Sequence, residues 1–103
     1  MVRYLAMFST PDDPEAFDKH YQEVHLPLIK SLPGLRRVTL SRSPAPVRGE
    51  AYYLVTALEW DDMTALKEAF ASPAGVATGD DVANLAGPGQ VRSMIFETED
   101  VLV

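Results

Sequence analysis

The sequence predicts an α+β domain whose four strands and two helices follow one another in the order β-α-β-β-α-β. Apolar segments of strand length alternate with two segments that show the three-and-four spacing of amphipathic helices, and connections rich in proline and glycine separate them. Two β-α-β halves of this kind form a four-stranded antiparallel sheet with both helices on one face, the ferredoxin-like arrangement. At 103 residues the chain has room for a single domain, spanning residues 1–103.

The first strand and the first helix have clear signals. Val2 to Ser9 carries apolar residues on both faces of a strand. Asp13 suits the N-cap of the following helix and Pro14 suits its first position, while Pro33 and Gly34 mark its end. The apolar stripe of this helix is predicted to comprise Phe17, Tyr21, Val24, His25, Leu28 and Leu32.

Two features interrupt this helix. Pro27 has no N–H to donate to Glu23, so a kink or a local opening is predicted between the two. Tyr21 and His25 lie one turn apart, about 40° around the axis, and can point into the same space. His20 lies about 140° from His25 on an ideal helix, which argues against a shared site unless the kink rotates one of them.

The second half of the chain repeats the pattern less clearly. Leu35 to Ser43 is a strand with three arginines and suits a sheet edge, whereas Ala51 to Trp60 is strongly apolar and suits the centre beside the first strand. A cap on Asp61 or Asp62 opens a second helix that ends near Ser72. The segment 73–90 is predicted to be irregular, with one turn of helix around residues 80–86.

The last strand, Val91 to Thr98, leaves the predicted sheet apolar on both faces. Two helices cover only one face, and a second bare face exceeds the apolar patch that soluble monomers tolerate. Covering ~400 Å² of it is worth about 10 kcal/mol before association costs, at ~25 cal/mol per Å². A homodimer through the open sheet face is therefore predicted.

Composition narrows the classes of function. The formal net charge of −6 argues against nucleic acids and anionic membranes as partners. The chain contains no cysteine, which excludes disulfides, thiolate metal sites and cysteine nucleophiles. It shows neither a signal peptide nor a membrane-spanning stretch, so a cytoplasmic location is expected. The two histidines are five residues apart with no third ligand implied, and no G-x-S-x-G motif occurs, so neither a metal, a cofactor nor a hydrolytic triad is expected.

The first helix carries a resemblance to a known family. The pattern F-x-x-H-Y-x-x-x-H-x-P from Phe17 to Pro27, followed by L-P-G-L from Leu32 to Leu35, resembles the EthD family of the dimeric α+β barrel superfamily. The resemblance implies a homodimer whose two sheets close into a barrel, with a small pocket between helices and sheet in each subunit. It also implies an association with the breakdown of small organic compounds in bacteria.

The residues and the resemblance support three functional hypotheses. In the first, a cofactor-free enzyme, which is an oxidoreductase of the oxygenase type, an isomerase or a cyclase, acts on a small aromatic or lactone-like molecule. His25 moves the proton, Tyr21 holds an oxygen, and His20 is a third polar group at the pocket mouth. The second is a non-catalytic binding or accessory protein for a small apolar metabolite. The third is a purely structural dimer without a ligand-sized cavity, in which His25 is an ordinary core histidine.

Overall fold

The computed structural model describes residues 1–103 and contains one four-stranded antiparallel sheet. The strands lie in the spatial order β2-β3-β1-β4, so the predicted central position of the first and third strands and the edge position of the arginine-bearing strand are confirmed. The strands are β1 (Val2–Phe8), β2 (Arg37–Arg42), β3 (Leu54–Trp60) and β4 (Val91–Glu97).

The helices connect β1 to β2 and β3 to β4. The first connection holds α1 (Pro14–His20), a π-helical turn (Tyr21–His25) and α2 (Leu26–Lys30). The second holds α3 (Met63–Ala71), α4 (Pro73–Asp81) and a 3-10 turn (Val82–Asn84). None of these helices combines the length and apolar character that crossing a bilayer demands.

The two faces of the sheet differ in burial. Alternate residues of the central strands form the core beneath the helices, and the buried ones are Val2, Ala6, Phe8, Leu54, Thr56, Leu58 and Trp60. The strand register places a second apolar set on the opposite face, where Leu5 lies between Ala57 and Met94. No helix lies against this second set, and Met94 is 50% exposed. The ferredoxin-like arrangement leaves one face of the sheet uncovered within a single chain.

Helix starts follow the capping signals of the sequence. The Asp13 carboxylate accepts a hydrogen bond from the backbone N–H of Ala16 at 3.1 Å, and Pro14 occupies the first turn. Asp62, rather than Asp61, caps α3 by accepting the N–H of Ala65 at 2.8 Å. These carboxylates satisfy backbone donors that have no partner within the helix.

The first helical segment opens one turn before the proline. The backbone N–H of Leu26 bonds to the carbonyl of Tyr21, five residues back, in place of the usual four. The predicted local opening is therefore present. It also changes the apolar stripe, because an extra residue in the turn rotates the residues after it around the axis. Val24 is exposed and Leu28 only half-buried, while Ile29 takes the core position.

The prediction for residues 73–90 is wrong for residues 73–81, which form α4, whereas the turn of helix predicted around residues 80–86 is present as the 3-10 turn Val82–Asn84. Pro73 opens α4, and the Ser72 hydroxyl accepts the N–H of Gly75 at 3.1 Å as its cap. Two glycines and the lack of an apolar stripe hide this helix from a periodicity argument. Gly75 is required for packing, since a Cβ there would lie 2.2 Å from the carbonyl oxygen of Ala69 in α3. The contact between α3 and α4 therefore stabilises a helix that the local propensities of its residues disfavour.

Candidate functional site

A cavity of about 320 Å³ lies between the helices and the helix-facing side of the sheet. Its wall is mostly apolar and contains four aromatic rings, those of Tyr4, Phe8, Tyr21 and Phe70. The polar groups in the wall come from His25, Thr56, Thr78 and the hydroxyl-bearing Tyr4 and Tyr21, and no Lys, Arg, Asp or Glu lines it. The volume lies at the lower end of the usual range for small-molecule pockets.

His25 places one ring nitrogen against the protein and the other toward the cavity. Its Nδ1 lies 2.9 Å from Oδ2 of Asp81, the last residue of α4. Nε2 has no hydrogen-bond partner in the chain. Every fully buried polar side-chain atom of the protein has a partner, so Nε2 is not fully buried. Because His25 is only 4% exposed and lines the cavity, Nε2 is reached from the cavity.

Asp81 joins both histidines of the chain in a single cluster, the His-Asp-His cluster of His20, Asp81 and His25. Nε2 of His20 lies 2.8 Å from Oδ1 of Asp81, and Nδ2 of Asn84 donates to the same oxygen at 3.0 Å. The carboxylate is buried, whereas the His20 side chain is 29% exposed. The cluster therefore runs from the cavity wall toward the protein surface.

The π-helical turn makes this convergence possible. On an ideal α-helix the two histidines would point about 140° apart, and the predicted exception, a rotation within the helix, applies here. The i to i+5 bonding adds a residue to the turn between His20 and His25. Residues five apart then lie on one side of the helix, so a single carboxylate reaches both imidazoles.

The charges of the cluster are set by burial and hydrogen bonding. Burial lowers the pKa of His25 below its ordinary value of 6.5, against the opposing effect of Asp81. Burial also opposes ionisation of Asp81, but hydrogen bonds from Asn84, His20 and His25 outweigh it and lower the pKa of that carboxyl. At neutral pH Asp81 is an acceptor, so Nδ1 of His25 carries the proton and Nε2 presents a lone pair to the cavity.

Tyr21 contributes a second polar feature to the same wall. Its hydroxyl lies 2.6 Å from Oγ1 of Thr56, and its ring centroid lies 5.1 Å from that of His25. Burial raises the pKa of Tyr21 to about 12, so the phenol stays neutral. One hydroxyl of the pair donates to the other, which leaves one O–H free to serve a ligand. Thr78 offers no such donor, because its hydroxyl is bonded to the carbonyl of Ala74 at 2.7 Å.

Comparison with known proteins places this architecture in a family. The family model of the EthD domain matches residues 10–89 of the chain. The chain belongs to the EthD family. An uncharacterised 11.0 kDa protein from the thcB-thcC intergenic region of Rhodococcus erythropolis is 31% identical over 104 residues, covering all of this chain and 99% of that protein. The family resemblance seen in the first helix is thereby confirmed.

Solved structures support the same EthD fold. An EthD family protein from Bacillus halodurans superposes with a TM-score of 0.86 at 34% identity, over 96% of this chain and 99% of that one. SnoaB from Streptomyces nogalater, described as a cofactor-independent oxygenase, has a TM-score of 0.66 at 20% identity, over 98% and 95% of the two chains. At that identity the second likeness concerns the fold alone.

In this EthD domain the predicted site residues are partly brought together. Tyr21 and His25 share the cavity wall, as their spacing suggested. His20 is not among the lining residues, and its Nε2 contacts Oδ1 of Asp81, so its place at the pocket mouth stays a prediction. The cavity itself contradicts the purely structural hypothesis, which predicted none. The catalytic roles of the three residues remain predictions.

Asp81 and Thr56 are the site residues that the sequence did not reveal. Asp81 lies in the segment predicted to be irregular, and Thr56 lies within an apolar strand. Two neighbouring acids near a helix end, Asp80 and Asp81, gave no sign that one of them is buried. A polar residue on the buried side of a central strand was a usable signal for Thr56, since such residues need a partner.

Proposed function

We propose that the EthD cavity binds a small aromatic or lactone-like metabolite and that His25 transfers a proton on it without a cofactor. The observation that carries this proposal is the orientation of the imidazole: Asp81 holds Nδ1, and Nε2 opens into an apolar cavity of about 320 Å³. An oriented base with an accessible lone pair is the minimum that general acid-base chemistry needs. Cofactor-independent oxidoreductase and isomerase chemistry both fit this description.

The character of the wall supports a neutral, flat ligand. Rings from Tyr4 and Phe70 meet edge to face at 5.1 Å and form an apolar surface for a planar molecule. The absence of Lys and Arg from the lining leaves a carboxylate or phosphate without a counter-charge. The fold of SnoaB shows that a cofactor-independent oxygenase is built on this architecture, which supports an enzymatic interpretation without naming the reaction.

The alternative is a non-catalytic protein that sequesters a small apolar metabolite. The scarcity of polar atoms in the wall favours it, because binding by burial alone needs no base. The two functions separate when His25 is replaced. His25→Ala abolishes turnover in the enzyme but leaves most of the affinity in the binding protein, since the removed imidazole is one small part of the wall.

Gly79 offers a way to test both functions at the site. It lines the cavity, its φ is not in the left-handed region, and a Cβ there meets nothing within 4 Å. Gly79→Leu should therefore add bulk to the cavity wall without disturbing α4. Thermal shift with a panel of phenols, aromatic ketones and lactones should show stabilisation of the wild type and none of this variant. Equal shifts in both proteins would place the ligand elsewhere.

We also propose that two copies associate through the open sheet face, as the sequence predicts. The face presents Leu5, Met7, Val55, Ala57, Met94 and Phe96, with no helix of its own chain against it. A ferredoxin-like protein from Bacteroides fragilis, with a TM-score of 0.64 at 20% identity, is described as dimeric. Two-fold symmetry would bury the same patch on both subunits.

Sedimentation velocity at micromolar concentration tests this assembly. The wild type should sediment at twice the mass of the 11.3 kDa chain. Met94→Lys places a charge on the apolar face and should shift the population toward monomer. Val76→Lys is the matched control, since Val76 is also exposed but lies on α4, in the helical layer. A monomeric wild type, or equal dissociation of both variants, contradicts the proposal.

A further inference from the structure

We propose that the substrate is an uncharged carbonyl compound with an acidic C–H beside the carbonyl, and that the cavity catalyses its enolisation. The proposal rests on the proposed function and narrows it to a substrate class and a reaction. It comes from two complementary features that face the same space: a base at His25 and an O–H donor at the Tyr21–Thr56 pair.

The two features have opposite hydrogen-bonding character. Nε2 of His25 is an acceptor, because Nδ1 carries the ring proton and donates a hydrogen bond to Asp81. The Tyr21–Thr56 pair is a donor, because one of its two hydroxyl hydrogens is not used within the pair. The rings of Tyr21 and His25 lie 5.1 Å apart between centroids, so one small molecule can meet both groups. A carbonyl oxygen matches the donor and the neighbouring C–H faces the base.

The reaction balances with these groups alone. Nε2 takes the proton of the α-carbon, the electrons of that C–H bond form a carbon-carbon double bond, and the carbonyl π electrons move to oxygen. The free O–H then donates to an oxygen that carries developing negative charge, which is the usual means of stabilising an enolate. Once the proton on Nε2 has exchanged with solvent, return of a solvent-derived proton to the same carbon completes hydrogen exchange, and its return to a conjugated carbon shifts a double bond. No oxidant or reductant takes part.

The His-Asp-His cluster supports the charged state that forms. When Nε2 accepts a proton, the imidazolium lies 2.9 Å from the Asp81 carboxylate, which stabilises it without taking part in the transfer. The pair of opposite charges then leaves the wall neutral overall. Because no Lys or Arg lines the cavity, the enolate depends on the hydroxyl pair, and a substrate that is already anionic would add a second unpaired charge.

Hydrogen-deuterium exchange of 2-indanone tests the proposal. The ketone is neutral and flat, has acidic C–H groups beside its carbonyl, and is followed by proton NMR in D₂O. Wild-type protein should accelerate exchange by about 10²–10⁴-fold over the same concentration of free imidazole, the usual gain from a positioned base. His25→Gln should remove the acceleration, and Tyr21→Phe should reduce it without removing it, since Thr56 keeps its hydroxyl. Tyr52→Phe, a change at a half-buried tyrosine that bonds to Glu50 and does not line the cavity, should leave it unchanged.

The outcomes separate this proposal from the function on which it rests. Binding of 2-indanone, seen as a thermal shift lost in Gly79→Leu, without exchange above the imidazole rate overturns enolisation and leaves ligand binding intact. The carbonyl substrate class is overturned if neither 2-indanone nor a neutral lactone such as 2-coumaranone binds. Binding of phenols from the same panel would then still show that the cavity takes a small ligand. Exchange that survives in His25→Gln also overturns the assignment of the base.

Discussion

Replacing either of the two adjacent aspartates at the end of α4, Asp80 and Asp81, by alanine should change the free energy of unfolding in opposite directions. Asp81→Ala removes the acceptor of three side-chain hydrogen bonds and leaves Nδ1–H of His25 buried without a partner. An orphaned buried donor costs about 1–3 kcal/mol, and the more exposed His20 and Asn84 can turn to water. Removing a carboxylate from a helix C-terminus stabilises the folded state by about 0.3–1 kcal/mol, because the negative charge repels the negative end of the helix dipole. The net loss in the free energy of unfolding is therefore about 1.3 kcal/mol, the difference between the midpoints of the two ranges.

Asp80→Ala is the matched control. Asp80 is exposed and makes no side-chain hydrogen bond or ion pair, so its replacement keeps only the favourable helix terms, about 0.5 kcal/mol. At about 4–8 °C per kcal/mol for a domain of this size, Asp81→Ala should lower Tm by about 5–10 °C and Asp80→Ala should raise it slightly. Circular dichroism melts at pH 7.5 and equal protein concentration measure both, because association makes Tm depend on concentration. Equal Tm shifts in the two variants would refute the conclusion that the hydrogen bonds to Asp81 stabilise the fold. Asp81→Asn keeps an amide oxygen as acceptor and should recover part of the lost Tm.

Three further predictions concern the same region. Because burial lowers the pKa of His25, the unfolded chain binds the proton first as pH falls below 6.5, so stability is full above that value and declines toward the lower folded pKa. Urea titrations of wild type and His25→Gln between pH 7.5 and 5 should show that decline reduced in the variant. Gly75→Ala should destabilise the domain by about 1–3 kcal/mol through its clash with backbone, whereas Gly79→Ala should stabilise it by about 0.8–1 kcal/mol through helix propensity, both measured by urea melts. Tyr21→Phe should cost about 1–3 kcal/mol in the same assay because Thr56 loses its buried partner, and a neutral effect would mean that water replaces the phenol.

The order and type of the main elements are set by local chemistry. Asp13 followed by Pro14 marks a helix start wherever it occurs, because a side-chain acceptor and a missing N–H suit the first turn. The apolar β1 and β3 and the arginine-bearing β2 predict their places in the sheet, because burial and exposure act on each strand independently. Those signals lie within a few residues of one another, and they carried the fold class and the placement of Tyr21 beside His25.

The candidate site depends on contacts between segments that are distant in sequence. Helix α4 contains two glycines, and Gly75 is required only because α3 passes within contact distance of it. Asp81 becomes a site residue because α4 ends where the π-helical turn has rotated both histidines to one side, 56 and 61 residues earlier in the chain.

The sequence by itself therefore determined the family, the order of the main strands and the position of His25 and Tyr21 on one helix face. Only the tertiary structure decided which carboxylate orients His25, that His20 contacts the same carboxylate, and that a cavity opens at Nε2. The physical reason is that periodicity and capping are short-range properties of the backbone. A buried hydrogen bond between distant segments depends on packing, which no local pattern records.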